Sequence, residues 1–151
     1  MLIGCPREIK PQEFRVGLTP RAAAEAIAHG HGVIVEAGAG LGSGFPDDDY
    51  RAVGAEIVGT AQEVFARAEL IVKVKEPQAG ERAMLREGQV LFTYLHLAPD
   101  PVQTRELLDS GVTAIAYETV TDRDGRLPLL APMSEVAGKL APQVGAWTLQ
   151  K

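Results

Sequence analysis

At 151 residues, 46% hydrophobic and 23% charged, with a formal net charge of −5 and no Lys/Arg cluster, the chain suits one globular unit with a real core and excludes a phosphate-holding nucleic-acid module. Its single cysteine, Cys5, can neither close an internal disulfide nor share a metal with a neighbour at ligand spacing. It reads as a small apolar filler behind the first strand of a cytoplasmic protein without metal. The opening MLIGCPREIK lacks the layout of a leader, and no run reaches the ~18 consecutive apolar residues of a membrane span, so neither export nor membrane insertion is expected.

Short β-branched runs alternate with Ala-rich helical stretches. Leu2 to Gly4, Val33 to Glu36, Glu56 to Val58, Leu70 to Val74, Val90 to Thr93 and Thr113 to Ala116 read as strands. Between the first two, Thr19 and Pro20 supply an N-cap and a first-turn proline before RAAAEAIAH, and Gly30 closes that helix. Further helices are predicted near Thr60 to Ala68, Gly80 to Glu87 and Asp100 to Ser110. Strands joined by helical crossovers pair in parallel, which predicts an α/β fold: a mostly parallel sheet flanked by helices, a flavodoxin-like substrate domain.

From Thr121 the pattern changes. TDRDGRLPLL reads as a hairpin turn with Asp124-Gly125 at its apex. Ser134, after Pro132, is placed to cap a long final helix on which Val136, Leu140, Val144 and Trp147 fall on roughly one side, with Pro142 kinking it. That helix reaches Lys151 without a capping glycine or terminating proline, so the chain reads as cut within an element.

The segment GAGLGSG, Gly38 to Gly44, follows a predicted strand and invites a dinucleotide-binding reading, but it fails on spacing. G-x-G-x-x-G from Gly38 needs glycine where Ser43 stands, and from Gly40 it needs glycine where Phe45 stands. The segment therefore reads as a flexible surface loop.

Ligands of open parallel sheets bind beyond the carboxyl ends of the strands. Arg15 lies in the long connection leaving the first strand, and its guanidinium offers a planar fork matched to a carboxylate. In LIVKVKEP, Lys75 is expected as the last residue of its strand before Pro77, sharing a face with Lys73, which is expected to neutralise acids such as Glu76. In VLFTYLHLAPDP, His96 aligns with Val90, Phe92 and Tyr94 and sits at the strand exit, where imidazole suits proton transfer near neutral pH. Taken singly, each pattern favours a plainer alternative: a solvated loop arginine, a solvated lysine, a structural histidine. Together at one edge they describe a site for a small carboxylic acid with a reacting carbonyl or amine.

Across the same residues, the blocks IGCPREIKPQEFRVGLTP, GAGLGSGFPDDDY, IVKVKEP, LFTYLHLAPDP and LPLLAPMSEVAGKLAPQVGA resemble segments of the alanine dehydrogenase family, in order and over essentially the whole chain. The resemblance implies that Arg15 and Lys75 bind the substrate with Met133 near it, that His96 is the catalytic acid-base group, and that Ser134 contacts the cofactor. It implies NAD as cofactor, bound mainly by a domain missing here, with L-alanine and pyruvate as ligands and a homo-oligomer, commonly a hexamer. On this reading residues 1–130 are an incomplete substrate-binding domain, 131–151 begin an interdomain helix, and the truncated chain is inactive alone in L-alanine catabolism. The alternatives are a transhydrogenase α-type chain, which shares the R-V-x-x-T-P opening, and a stand-alone small-carboxylate binding module.

Overall fold

Six aliphatic runs form the strands β1 (Leu2–Cys5), β2 (Gly32–Glu36), β3 (Glu56–Val58), β4 (Leu70–Val72), β5 (Val90–Thr93) and β6 (Thr113–Ala116) of one parallel sheet, ordered β3-β2-β1-β4-β5-β6. In the computed structural model, which describes residues 1–150, the sheet belongs to a first compact unit, Met1–Ile115; the segment from Ala116 onward forms a second. The helix-flanked parallel sheet expected from the sequence is present. Its strand order is that of a doubly wound sheet built outward from β1, rather than the 2-1-3-4-5 order of flavodoxin itself.

The central strands β1, β2, β4 and β5 are apolar because they are covered on both faces, whereas the edge strand β6 stays largely exposed. Ile3, Cys5, Val33, Val35 and Val72 face one side, where α1 (Pro20–Ala28) and α2 (Asp47–Ala52) contribute Ala23 and Tyr50 to a single core cluster. Ile34 and Ile71 alternate to the other side and are fully buried, as are Val64 and Phe65 of α3 (Ala61–Arg67). Cys5 is buried in the first cluster, and desolvation pushes its thiol up to about 12.

Helix ends follow their capping residues. Thr19 accepts from the Ala22 N–H, Thr60 from Glu63, and Asp100 from Gln103 at the head of α5 (Pro101–Ser110). Two departures concern short helices. The predicted helix from Gly80 to Glu87 is a single turn, α4 (Ala79–Arg82), held by a capping box between Gln78 and Glu81. α2 was not expected, because its six residues open on Asp47, Asp48 and Asp49 and carry too little apolar periodicity.

In the second unit, Asp122 organises the turn at Asp124-Gly125: its carboxylate accepts from the N–H groups of Asp124 and Arg126, and Gly125 adopts a φ of 78°. No strand flanks this turn among the described residues, so it is a local Asx-type turn and not a hairpin. The final helix, α6 (Ala131–Thr148), starts earlier than expected: Pro132 lies in its first turn, and Ser134 is its fourth residue rather than its cap. Proline fits the first turn because the N–H it lacks would have no partner there. Pro142 lies inside the helix, which continues past it with one backbone bond fewer.

Tyr50 shows how the core fixes the sheet's carboxyl edge. Its ring is fully buried and its hydroxyl donates to the Leu18 carbonyl at 2.8 Å. Tyr50→Phe strands that buried carbonyl, so urea unfolding is expected to show a loss of about 1–3 kcal/mol with an unchanged m-value.

Candidate functional site

In this strand order the chain reverses direction between β1 and β4, and the crevice beyond their carboxyl ends is where a doubly wound sheet holds ligands. The connection from Cys5 to Thr19 crosses that crevice. Gly17 makes the crossing possible: a Cβ there would lie 2.7 Å from the Val72 carbonyl oxygen and 2.8 Å from the Lys73 Cα, so only glycine lets the two backbones touch.

The glycine segment 38–44 braces the same connection. A Cβ on Gly42 would meet the Phe14 carbonyl oxygen at 2.5 Å, and Ser43 Oγ donates to that oxygen at 3.1 Å. The segment is thus packed as a support for the loop carrying Arg15, and not the loose surface loop that its composition suggests. Most of its N–H groups are also committed internally: Gly38 donates to Asp47, Ala39 to Glu36, Leu41 to Gly38, Ser43 to Gly40 and Gly44 to Leu41, and the following Phe45 donates to Gly40. Donors used in this way, next to a helix opening on three aspartates, do not fit a pyrophosphate.

Beneath the crossing lies a buried ion cluster. Lys73 is fully buried, and its Nζ lies 3.2 Å from Glu8 Oε2 and 2.7 Å from Glu81 Oε1. Glu8 uses its other oxygen to accept from the Val74 N–H at 2.7 Å, and Glu81 accepts from the Gln78 N–H at 2.8 Å. Burial pushes the Glu8 carboxyl above the ordinary range, against the pull of Lys73. This corrects two expectations. β4 ends at Val72, two residues early: beyond it the Lys73 N–H and the Val74 carbonyl still pair toward β5, but the Val74 N–H goes to Glu8; and Lys73 serves Glu8 and Glu81, while Glu76 is paired with Lys10.

Arg15 and Lys75 stand at the rim above this cluster. Arg15 donates from Nε to Glu13 Oε1 at 2.8 Å and from Nη2 to Oε2 at 2.6 Å, and its backbone N–H adds a third bond to Oε1 at 2.9 Å. The Arg15 guanidinium holds the Glu13 carboxyl below the ordinary range, and Lys75 adds to that pull from nearby. Lys75 is half-buried, and its carbonyl accepts from Thr93 Oγ1 at 2.9 Å, which ties it to the exit of β5.

Past that exit, the Tyr94 and His96 rings stack with centroids 6.0 Å apart. Tyr94 also lies within electrostatic reach of Arg15. His96 is exposed and adopts a φ of 50°; the only other non-glycine residue with positive φ among the described residues is Gln12, three residues before Arg15. The fully buried Gln103 of α5 steadies this turn by donating to the Leu95 carbonyl at 2.6 Å. The edge thus gathers Arg15, Lys75 and His96, and a recess of about 280 Å³ beside Arg15 is lined by Glu8, Glu13, Phe14, Ala39 and Gly42. Met133 and Ser134 belong to the second unit, in the first turns of α6. Among the described residues no cluster of His, Cys, Asp or Glu is placed to hold a metal, and no helix is long and apolar enough to cross a membrane.

Glu8, Glu13, Gly17 and Gln103 escape a reading of the sequence. Nothing local separates two acids, a glycine and a glutamine from surface residues; their partners lie at the ends of other elements.

The family model described as "Alanine dehydrogenase/PNT, N-terminal domain" matches residues 4–137. The chain belongs to this family. Over its whole length this alanine dehydrogenase/PNT N-terminal chain is 58% identical to an alanine dehydrogenase of Mycobacterium tuberculosis strain H37Rv, covering 41% of that protein, and 55% identical to one of Bacillus subtilis strain 168, covering 39%. It therefore spans about two-fifths of the length of these curated relatives. A solved L-alanine dehydrogenase superposes on 99% of the chain with a TM-score of 0.91 and 49% identity, with 41% of that structure covered. A transhydrogenase from Sinorhizobium meliloti superposes on 82% with a TM-score of 0.75 and 32% identity, with 36% of it covered. The alanine dehydrogenases match better on every measure, which makes the transhydrogenase the weaker alternative.

Lys73→Met leaves Glu8 and Glu81 buried without their cation. Glu8 then holds a proton in the folded variant at a pH where the unfolded chain has lost it. A carboxyl raised in this way contributes stability below its unfolded value and loses it as pH rises through its folded value, so the cost must grow with pH. Urea titrations are expected to show a loss of roughly 3–5 kcal/mol at pH 7.5 and a distinctly smaller one at pH 5; equal losses would rule out the buried cluster as its source.

Proposed function

We infer that this chain is the substrate-binding part of an NAD-dependent L-alanine dehydrogenase, which converts L-alanine, NAD and water to pyruvate, ammonia and NADH. The observation that carries the reading is the gathering of Arg15, Lys75 and His96 at one carboxyl edge of a chain that belongs to the alanine dehydrogenase/PNT family.

In this proposal the planar fork of Arg15 holds the substrate carboxylate, and Lys75 binds the carboxylate or polarises the oxo group. His96 takes the proton as water adds to the imine and returns it as the carbinolamine releases ammonia; its exposed ring, kept in register by the stack on Tyr94, has the access this requires. The family resemblance assigns Met133 to the neighbourhood of the substrate. NAD, when bound, supplies the hydride acceptor. The internally bonded segment 38–44 cannot seat its pyrophosphate, so the cofactor is assigned mainly to a further nucleotide-binding domain, with Ser134 as the contact from this chain.

The accompanying organisation is a substrate domain over residues 1–130 and the start of an interdomain helix over 131–151, in a cytoplasmic homo-oligomer, a hexamer as the family resemblance implies. The buried Cys5 thiol, with no second cysteine to pair with, agrees with a reducing compartment.

The reading is tested by separating binding from turnover. In the complete dehydrogenase, His96→Gln is expected to leave the KM for alanine within about threefold while lowering kcat by at least about a hundredfold. Arg15→Ala is expected to weaken pyruvate binding by about tenfold or more. If both variants kept wild-type kcat and KM, the assignment would fail.

A further inference from the structure

The rim of the site holds one feature that carboxylate binding alone does not require. Glu13 points its own carboxylate at the residue meant to receive one, through bonds of 2.8 and 2.6 Å to Arg15 and a third from the Arg15 backbone. Its side chain is only 8% exposed, so the charge is not dispersed by water. It also lies close enough to Lys75 to feel that cation.

The other charges nearby lie against partners of their own: Glu8 and Glu81 share the one ammonium of Lys73, Glu76 is paired with Lys10, and Arg7, which lines the same recess, faces Glu36. Directly on Arg15 lies one anion, Glu13, which also feels Lys75. Within this trio one of the two positive charges is offset.

We propose that Glu13 is a specificity-determining residue, which cancels one of the two rim cations so that the site takes 2-oxo and 2-amino acids with one carboxylate and rejects those with a second. A ligand with one carboxylate meets a matching charge. A ligand whose side chain ends in another carboxylate must place it near Glu13, an acid held largely out of water, and like charges at close range in a partly desolvated site are costly. Two cations without Glu13 would suit a dicarboxylate instead.

This rests on the reading of Arg15 and Lys75 as the carboxylate site, and the test separates the two. Pyruvate and ketomalonate are suitable probes, since they differ by a methyl group replaced with a carboxylate. Their affinities for the complete protein are measured by calorimetric or NMR titration for wild type, Glu13→Gln, Glu13→Asp and Arg15→Ala. Glu13→Gln keeps an acceptor for Arg15 but loses the charge, and is expected to shift the ratio of affinities toward ketomalonate by about tenfold, the effect of one unit charge at contact range in a partly screened site.

Glu13→Asp keeps the charge and is expected to leave the ratio near wild type. A structural role alone would move both variants alike, and that result overturns the proposal, as does a Glu13→Gln ratio within about twofold of wild type. If Arg15→Ala weakens pyruvate while the ratio stays fixed in Glu13→Gln, only the specificity role falls. If wild type binds neither probe, or Arg15→Ala binds pyruvate as wild type does, the carboxylate site falls and the role of Glu13 with it.

Discussion

A lysine ammonium with no access to water sits where the chain reverses its direction across the sheet. Removing Lys73 from solvent is tolerable only because Glu8 and Glu81 reach it from two other elements, and each carboxylate spends its second oxygen on a backbone N–H. The result is a joint between the exit of β1, the exit of β4 and the first turn of α4. Gly17 lies backbone to backbone on this joint, and Lys75 follows it by two residues. Arg15 and Lys75 are thus placed by a buried electrostatic constraint more than by the strands that precede them. Such a cluster adds little net stability over apolar packing, but breaking it is expensive, which suits a device that fixes geometry.

The glycine segment after β2 shows how one composition can serve opposite ends. A phosphate cradle needs N–H groups that point outward with no internal partner, ahead of a helix whose first turn welcomes an anion. Here the N–H groups close a 3-10 turn and nearby loops, Asp47 takes the first of them, and the next helix begins with three aspartates. Glycine is needed at 42 for closeness to Phe14. What looks like a cofactor loop is a buttress for the loop that carries Arg15.

Charge at the rim follows the same economy of paired groups. Tyr94 links the two halves of the site, stacking on His96 and lying within electrostatic reach of Arg15, while Glu13 satisfies Arg15 before any ligand arrives. On the proposed reading, a ligand carboxylate competes for, or adds to, this network of donors, so its affinity depends on differences between well-made interactions and one acid beside two cations matters to selectivity.

The six strands and three capped helix starts were legible because their causes are local: aliphatic runs, most of them buried in the centre of the sheet, and Thr or Asp ahead of a helical stretch. Periodicity also carried Arg15, Lys75 and His96 to one edge, since a residue just past a strand's carboxyl end has few other places to be. The six-residue α2 and the shortened β4 were not legible. The first has too few turns to show a period, and just past the second a carboxylate 66 residues away in the chain takes the Val74 N–H. By itself the sequence determined the α/β class, the gathering of Arg15, Lys75 and His96 at one edge, and the family. Only the tertiary structure decided which acid serves which base, that Glu13 belongs to Arg15's site and that the glycines serve packing, because β1 and β4 become neighbours in the sheet and not in the chain.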